Sequence, residues 1–193
     1  AGIYARRKQR EGMDVGRVIE LDRDLGIHVE TNLEKVLDRV RPHVAIQATC
    51  STVADALEEI STLLRHGVHL ISIAEEMAFP RYRSPATAEE LEALAIQHSV
   101  ALLGAGINPG FVLDLLIIML TGACADVQAI SARRVNDLAP YGPSVLATQG
   151  VGLTPEDFNK GIESGTVVGH IGFPESIHMI ASALGWTIDR IEE

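Results

Sequence analysis

Short apolar runs alternate with amphipathic stretches along the first hundred residues. Five of these runs end at turn residues, as buried strands do; they are Ala1–Ala5, Ile27–Glu30, Val44–Thr49, His69–Ile73 and Val100–Gly104. Helices are predicted between them, over Leu33–Val40 after an Asn32 cap, over Val53–Arg65 after Ser51 or Thr52, and from a Thr87/Glu90 capping box to His98. Strands that alternate with helices predict βαβ units and a parallel sheet.

The pattern changes after Gly104. Asn108 as N-cap and Pro109 at the first helical position predict a helix over Phe111–Thr121. Alternation over Val127–Val135 predicts a strand with one polar face, which is typical of an antiparallel sheet.

For the rest of the chain, the sequence predicts a loop followed by two helices. A loop is expected over 136–153, a helix starting at Thr154-Pro155, and a last helix from Pro174 to Gly185. The sequence therefore predicts an α/β chain with a partial doubly wound, Rossmann-like domain over 1–107. Part of an α+β substrate domain is predicted over 108–193.

Composition narrows the class of protein. Hydrophobic residues make up 47% of the 193 and aromatic residues 4%, which suits an aliphatic core between a parallel sheet and its helices. A net charge of -10 argues against nucleic acid as a partner. Cys50 and Cys124 have neither disulfide-framework nor zinc spacing, so a reducing cytoplasm and no metal are expected. The longest apolar run, Phe111–Leu120, is too short to span a membrane.

A doubly wound dinucleotide domain ordinarily opens with a strand, a G-x-G-x-x-G turn and a helix. No such turn precedes a helix in the first hundred residues, and Gly104-Ala105-Gly106 follows the last predicted strand. We interpret that glycine pair as a turn between domains. The expectation is that the chain begins on the second strand, with a first βα unit of about 30 residues outside it.

The end of the second strand is where such domains discriminate between NAD and NADP. Arg6 and Arg7 open a run of four basic residues in five and could accommodate the 2′-phosphate of NADP, although a solvated turn is the alternative and NAD stays open. Thr49, Cys50 and Ser51 follow a buried strand and are expected to contact the cofactor. Ser51 could instead only cap the helix, and Cys50 could be a small buried residue.

Two further positions are candidates for cofactor or amine contact. Glu75 and Glu76 follow the next strand and could bind an amine or orient the nicotinamide amide, and Glu75 is favoured because it is nearer the strand end. Asn108, at a predicted helix start, would place free backbone N–H groups near the nicotinamide.

Several motifs together resemble a known family. Segment 106–114 (Gly-Ile-Asn-Pro-Gly-Phe-Val-Leu-Asp), segment 134–137 (Arg-Val-Asn-Asp), segment 148–152 (Thr-Gln-Gly-Val-Gly) and segment 169–176 (Gly-His-Ile-Gly-Phe-Pro-Glu-Ser) are similar to 2,4-diaminopentanoate dehydrogenases. That family is distantly similar to dihydrodipicolinate reductase. The resemblance implies NADP or NAD, a small diamino acid substrate, and its oxidative deamination to 2-amino-4-oxopentanoate and ammonia. It also implies a homo-oligomer.

Three residues are candidates for the chemistry of that reaction. His170 lies between two glycines and can accept a proton near neutral pH. Glu175, at a helix start, could bind the second amino group or only interact favourably with the helix dipole. Arg134, expected on the opposite strand face from Arg133 and the same face as Asn136, could clamp the carboxylate.

Two other functions stay open at this point. A cyclic-imine reductase resembling dihydrodipicolinate reductase would carry a His-His-x-x-Lys pattern, which this sequence lacks. A non-catalytic dinucleotide-binding protein would explain the absent glycine turn, whereas the His170 and Glu175 region argues against it.

Overall fold

A computed structural model describes residues 1–192. The chain divides into two units, the first comprising Ala1–Gly106 and the second beginning at Ile107.

The first unit contains five strands in two parallel sheets. They are β1 (Ile3–Tyr4), β2 (Val29–Glu30), β3 (Val44–Gln47), β4 (His69–Ser72) and β5 (Leu102–Gly104). β1 pairs with β2, and the second sheet has the order β3-β4-β5. The strands were predicted in the right places and with the right direction, but the single open sheet expected from the sequence is divided between β1 and β3.

Helices connect the strands of the first unit. They are α1 (Val15–Val18), α2 (Leu33–Val40), α3 (Val53–Arg65), α4 (Pro80–Arg83) and α5 (Pro85–Gln97), with short 3₁₀ turns at Lys8–Arg10 and Glu75–Ala78. α2 and α3 have the predicted bounds, because the Asn32 and Thr52 side chains accept the N–H groups of Lys35 and Asp55. The predicted Thr87/Glu90 capping box is wrong: α5 begins at Pro85, whose fixed φ suits a first helical position.

The core of the first unit lies where α3 and α5 pack on one face of the β3-β4-β5 sheet. Ile60, Leu64 and Leu70 are almost completely buried there, together with Leu91 of α5. Each such side chain contributes about 1.5–3 kcal/mol by leaving water. This packing fixes the carboxyl ends of β3 and β4, where the candidate cofactor residues lie.

In its described residues, the second unit consists of helices and loops. Its helices are α6 (Leu115–Thr121), α7 (Pro143–Thr148), α8 (Pro155–Ser164) and α9 (Phe173–Leu184). α8 and α9 follow the prediction: Thr154 accepts the N–H of Asp157, and Gly185 ends α9 in the left-handed region at φ 68°. α6 begins later than predicted, because Asp114 and not Asn108 is its N-cap.

The predicted strand over Val127–Val135 is wrong, and with it the expected α+β architecture of this unit. The segment has no regular structure, and the part of the second unit that the structure describes contains no strand to pair with it. An alternating pattern stabilises a strand only when a neighbour satisfies its backbone hydrogen bonds. The loop expected over 136–153 contains α7, which the sequence reading missed.

Within the described residues, no helix has the length and apolar character needed to cross a membrane.

Candidate functional site

The loops that follow β3 and β4 are joined at the carboxyl edge of their sheet. The N–H of Glu76 donates to the carbonyl oxygen of Ser51 at 3.1 Å. The Glu76 carboxylate is buried, accepts the N–H of Val53 at 2.8 Å, and lies 3.3 Å from the Arg83 guanidinium. Glu76 therefore satisfies the first N–H of α3, whose N-cap is Thr52. Glu75, the favoured candidate, is half-buried at the same edge.

A polar cluster brings together three of the predicted cofactor residues, Arg6, Thr49 and Cys50. Its centre is the buried carboxylate of Glu59, which accepts the Arg6 Nε–H at 2.6 Å and also the Thr49 hydroxyl. Arg6 donates further to the carbonyl oxygen of Asp55 at 2.6 Å and contacts Cys50 Sγ at 3.4 Å. The Arg6 guanidinium is thus occupied by protein acceptors.

The electrostatics of this cluster follow from the Glu59 charge. Its hydrogen bond with Arg6, followed by its negative charge, raises the pKa of the guanidinium despite partial burial. Burial raises the pKa of the nearby Tyr4 phenol, and the Glu59 charge adds to that shift. At neutral pH the guanidinium is therefore charged and the phenol is neutral. The cluster contains one ion pair, between Arg6 and Glu59, which is partly shielded from water.

A polar cavity of about 590 Å³ opens beside this cluster. Its walls come from β1, from the loops after β1 and β2, and from α3, and include Tyr4, Arg6, Thr31, Asn32 and Glu58. That volume lies within the range of small-molecule sites. Arg7 is exposed one residue beyond Arg6.

The start of α3 is not suited to hold a pyrophosphate. Its Val53 N–H is bonded to Glu76 and its Asp55 N–H to Thr52 at 3.1 Å, so these donors are already satisfied. Thr49, Cys50 and Ser51 are half-buried at the strand ends.

In the second unit, Asn108 and His170 are joined although 62 residues separate them. The Asn108 Nδ2 lies 2.8 Å from the His170 Nε2. Asn108 was predicted to begin a helix. Instead, its side chain orients the imidazole ring of His170. Gln149 donates to the Gly169 carbonyl oxygen at 2.6 Å and holds the loop that carries His170.

A fully buried carboxylate, Asp114, connects the start of α6 to the start of α9. It accepts the N–H groups of Gly110 at 2.7 Å and Leu115 at 2.6 Å, and the hydroxyl of Ser176 at 2.8 Å. Glu175, next to Ser176 in the first turn of α9, is also fully buried. Two carboxyl groups therefore lie inside this unit near the segments that carry Asn108 and His170.

Arg134 is half-buried in the irregular segment between α6 and α7. No strand sets its direction, so the expectation that Arg133 and Arg134 occupy opposite strand faces, with Asn136 beside Arg134, is wrong. The described residues contain no cluster of three or more His, Cys, Asp or Glu side chains arranged to hold a metal ion.

The sequence reading missed Glu59, Asp114 and Ser176 as parts of these clusters. A signal existed for Asp114, an acid inside an otherwise apolar run, because a buried charge requires dedicated donors. Glu59 lies on an ordinary amphipathic helix, so only its tertiary partners reveal its position.

Known proteins are similar to this chain over most of its length. The model of the family described as 2,4-diaminopentanoate dehydrogenase C-terminal domain matches residues 111–193. The 2,4-diaminopentanoate dehydrogenase of Acetoanaerobium sticklandii is 45% identical over 156 residues, which are 81% of this chain and 44% of that protein. An amine dehydrogenase of Streptomyces virginiae is 29% identical over 99% of this chain and 54% of its own length.

The fold is also that of a solved structure. The amine dehydrogenase of Mycobacterium smegmatis superimposes with a TM-score of 0.73 at 26% identity, over 97% of this chain and 56% of that one. The chain spans about half the length of these relatives. The mixed α/β fold with parallel sheets is confirmed, and so is the resemblance of this chain to 2,4-diaminopentanoate dehydrogenase.

Proposed function

We propose that this chain is part of an NAD(P)-dependent amine dehydrogenase that converts 2,4-diaminopentanoate to 2-amino-4-oxopentanoate and ammonia. The observation that carries the proposal is the 45% identity to the Acetoanaerobium sticklandii protein of that name over 81% of the chain. Because the chain spans about half of such a protein, the reaction is assigned to the longer protein that contains these residues.

The proposed dinucleotide domain is residues 1–107, as part of a doubly wound, Rossmann-like sheet. Parallel strands joined by helices support this assignment, since ligands of such sheets bind at the carboxyl ends of the strands. Thr49, Cys50, Ser51 and Glu75 are half-buried at those ends. When bound, the nicotinamide accepts a hydride from the substrate carbon.

The two arginines receive different roles in this proposal. Arg6 is paired with Glu59 and shapes the wall of the polar cavity, whereas Arg7 is exposed and can approach a ribose 2′-phosphate. This arrangement favours NADP, and NAD is the alternative if Arg7 only faces solvent. Asn108, predicted to bind the cofactor, is reassigned to orienting His170.

The proposed substrate domain is residues 108–193. His170 accepts the proton of the substrate ammonium group, so that the amine is neutral when hydride leaves its carbon. Water then adds to the resulting iminium carbon, and ammonia leaves. The buried Glu175 is proposed to bind the second amino group, and Arg134 the carboxylate.

The cellular compartment and the oligomeric state of the enzyme are also part of the proposal. Cys50 and Cys124 are both free thiols, which suits a reducing cytoplasm. A homo-oligomer is proposed from the resemblance alone.

A turnover assay of the longer protein tests the function. We expect 2,4-diaminopentanoate to reduce NADP or NAD with release of one ammonia per reduced nicotinamide. His170→Ala should lower kcat by about 10²–10⁴-fold, the usual contribution of general base catalysis. His178→Ala, a half-buried histidine of α9, is the matched control. Nucleotide binding without turnover of the diamine would contradict the proposal and favour a non-catalytic protein.

A further inference from the structure

Arg6 lines two cavities of opposite charge. The first is the polar cavity of about 590 Å³, and the second has a volume of about 420 Å³. Arg7 and Arg10 line the second cavity together with Arg6, and none of the described residues around it is acidic. Around the first cavity, the described residues supply four carboxylates beside the one guanidinium. They are Glu34, Asp55, Glu58 and Glu59. The side to which Arg6 presents its charge therefore determines which cavity gains a cation.

Helix α3 supplies the oxygen acceptors of Arg6. The Arg6 Nε–H donates to Glu59 Oε1 and its Nη2 donates to the carbonyl oxygen of Asp55, each at 2.6 Å. Asp55 and Glu59 line the first cavity and not the second. The guanidinium is therefore bonded on the acidic side, where the Glu59 carboxylate neutralises its charge. The basic side keeps Arg7 and Arg10, which are both exposed.

The Glu59 carboxylate is itself fixed by a chain of buried hydrogen bonds from the sheet. Its second oxygen accepts the hydroxyl of Thr49, and the Thr49 hydroxyl oxygen accepts the Gln47 Nε2–H at 2.8 Å. The Gln47 Oε1 in turn accepts the hydroxyl of Ser72. Gln47 and Ser72 are buried at the ends of β3 and β4. A ligand that attracts Arg6 must therefore separate it from an anion that cannot follow.

An ion pair attracts a phosphate much less than a free guanidinium does. A phosphate monoester carries about −1.5 to −2 charges at neutral pH, so each unpaired cation nearby stabilises it. When a carboxylate lies 2.6 Å from the guanidinium, the two opposite fields largely cancel at the distance of a ligand. If Arg6 left Glu59 to bind a phosphate, the buried carboxylate would lose its charged donor, which is costly. Arg6 is therefore a weak phosphate ligand as long as Glu59 is charged.

We propose that Glu59 is a specificity-determining residue that limits the preference for NADP over NAD. By holding Arg6 on the acidic side, Glu59 leaves recognition of the ribose 2′-phosphate to Arg7. Glu59 acts through Arg6 and need not touch the cofactor, so it is a positioning residue. Removing its charge should release Arg6 as a second cation for the phosphate. This inference rests on the dinucleotide domain of the proposed function, and not on the identity of the amine that is oxidised.

Titration calorimetry of the longer protein with NADPH and with NADH tests the inference. The measured quantity is the ratio of the two affinities, because a partial loss of folded protein lowers both alike. Glu59→Gln should raise the ratio in favour of NADPH about tenfold, as expected for one additional cation near the phosphate. Glu58→Gln is the matched control, since it removes the same charge from the same cavity at an exposed position of the same helix. It should change the ratio much less.

Two variants of Arg6 show whether the effect passes through that side chain. Adding Arg6→Ala to Glu59→Gln should return the affinity ratio to that of the parent, because the released cation is gone. Arg6→Gln alone should lower the ratio less than Arg7→Ala does. This single variant decides the question even if Glu59→Gln does not fold. A loss as large as that of Arg7→Ala would show that Arg6 already binds the phosphate, and would overturn the inference.

The remaining outcomes separate this inference from the proposed function. An unchanged ratio in folded Glu59→Gln, or an equal rise in Glu58→Gln, would overturn the role of Glu59 and leave the proposed reaction intact. A shifted ratio in a protein that does not oxidise the diamine would support Glu59 and contradict the proposed reaction. If the parent protein bound neither nucleotide, the dinucleotide domain would be wrong, and this inference would fall with it.

Discussion

Arg6 and Glu59 form an ion pair across 53 positions of sequence, with the Arg6 Nε 2.6 Å from the Glu59 Oε1. The pair joins the segment after β1 to the middle of α3. Glu59 is buried and also accepts the hydroxyl of Thr49, whereas the Arg6 side chain is 37% exposed. The carboxylate is therefore the member of the pair that takes its hydrogen bonds from protein partners rather than from water.

Glu59→Gln should destabilise the protein, because Arg6 and Thr49 lose a charged acceptor. We expect the free energy of unfolding to fall by about 1–3 kcal/mol, with solvent access to Arg6 keeping the loss at the lower end. Urea unfolding measures the change. Glu58→Gln, on an exposed neighbouring side chain of the same helix, should have almost no effect. Equal losses for the two variants would mean that the ion pair does not matter.

Arg7→Ala should change the choice of cofactor in the longer protein. If Arg7 binds the 2′-phosphate, loss of one charge-assisted contact should weaken NADPH binding about 10- to 100-fold and leave NADH binding unchanged. Titration calorimetry with both nucleotides measures this. Arg65→Ala, at the exposed end of α3, is the control. A parallel loss for NADPH and NADH would exclude a 2′-phosphate contact.

Asp114→Ala should destabilise the second unit. The substitution leaves the N–H groups of Gly110 and Leu115 and the hydroxyl of Ser176 without their acceptor. We expect a loss of about 2–4 kcal/mol in the free energy of unfolding. Ser176→Ala removes one of these bonds and should cost less than Asp114→Ala. The opposite ranking, measured by thermal or urea unfolding, would contradict the role assigned to Asp114.

Asp14 should make stability depend on acid pH. Its carboxylate accepts N–H groups of Leu25, Gly16 and Gly26, and these bonds, led by that of Leu25, lower the pKa of the carboxyl. The stabilisation is therefore present above the unfolded-state pKa of about 3.9 and is lost as pH falls through the folded value.

Urea unfolding of Asp14→Asn at several pH values checks this expectation. The variant should be less stable than the parent at neutral pH, and the difference should shrink as pH falls below about 4. Asp22→Asn, at an exposed position of the same region, is the control. A difference that stays constant down to the acid limit would show that the hydrogen bonds of Asp14 do not depend on its charge.

Gly104→Ala should be far more damaging than Gly67→Ala. A Cβ at position 104 would lie 1.7 Å from the backbone oxygen of Met77, which cannot yield without moving the turn after β4. We expect a loss of about 3 kcal/mol or more. At Gly67 no atom lies within 4 Å of the added Cβ, so the only penalty is the positive φ of 72°. That conformation should lower the free energy of unfolding by about 1–2 kcal/mol. Similar unfolding midpoints for the two variants would refute the close approach.

The sequence predicted local structure correctly wherever a few neighbouring residues determine it. Asn32 and Thr52 began α2 and α3 where predicted, because a cap bonds to an N–H only three residues away. The strands at Val44 and His69 were found because strands of a parallel sheet are short, continuous apolar runs. Motifs such as that around His170 carried the family resemblance.

Tertiary structure decided what depends on distant partners. It divided the sheet between β1 and β3 and, among the described residues, provided no strand to pair with Val127–Val135. It also placed Asn108 against His170 instead of at the start of a helix. It also placed the carboxylate of Glu76 against the Val53 N–H at the start of α3, and made Glu59 the partner of Arg6. The sequence by itself determined the elements and the family likeness. The pairings between elements depended on which donors and acceptors the fold brings within hydrogen-bond distance, and no local pattern encodes that.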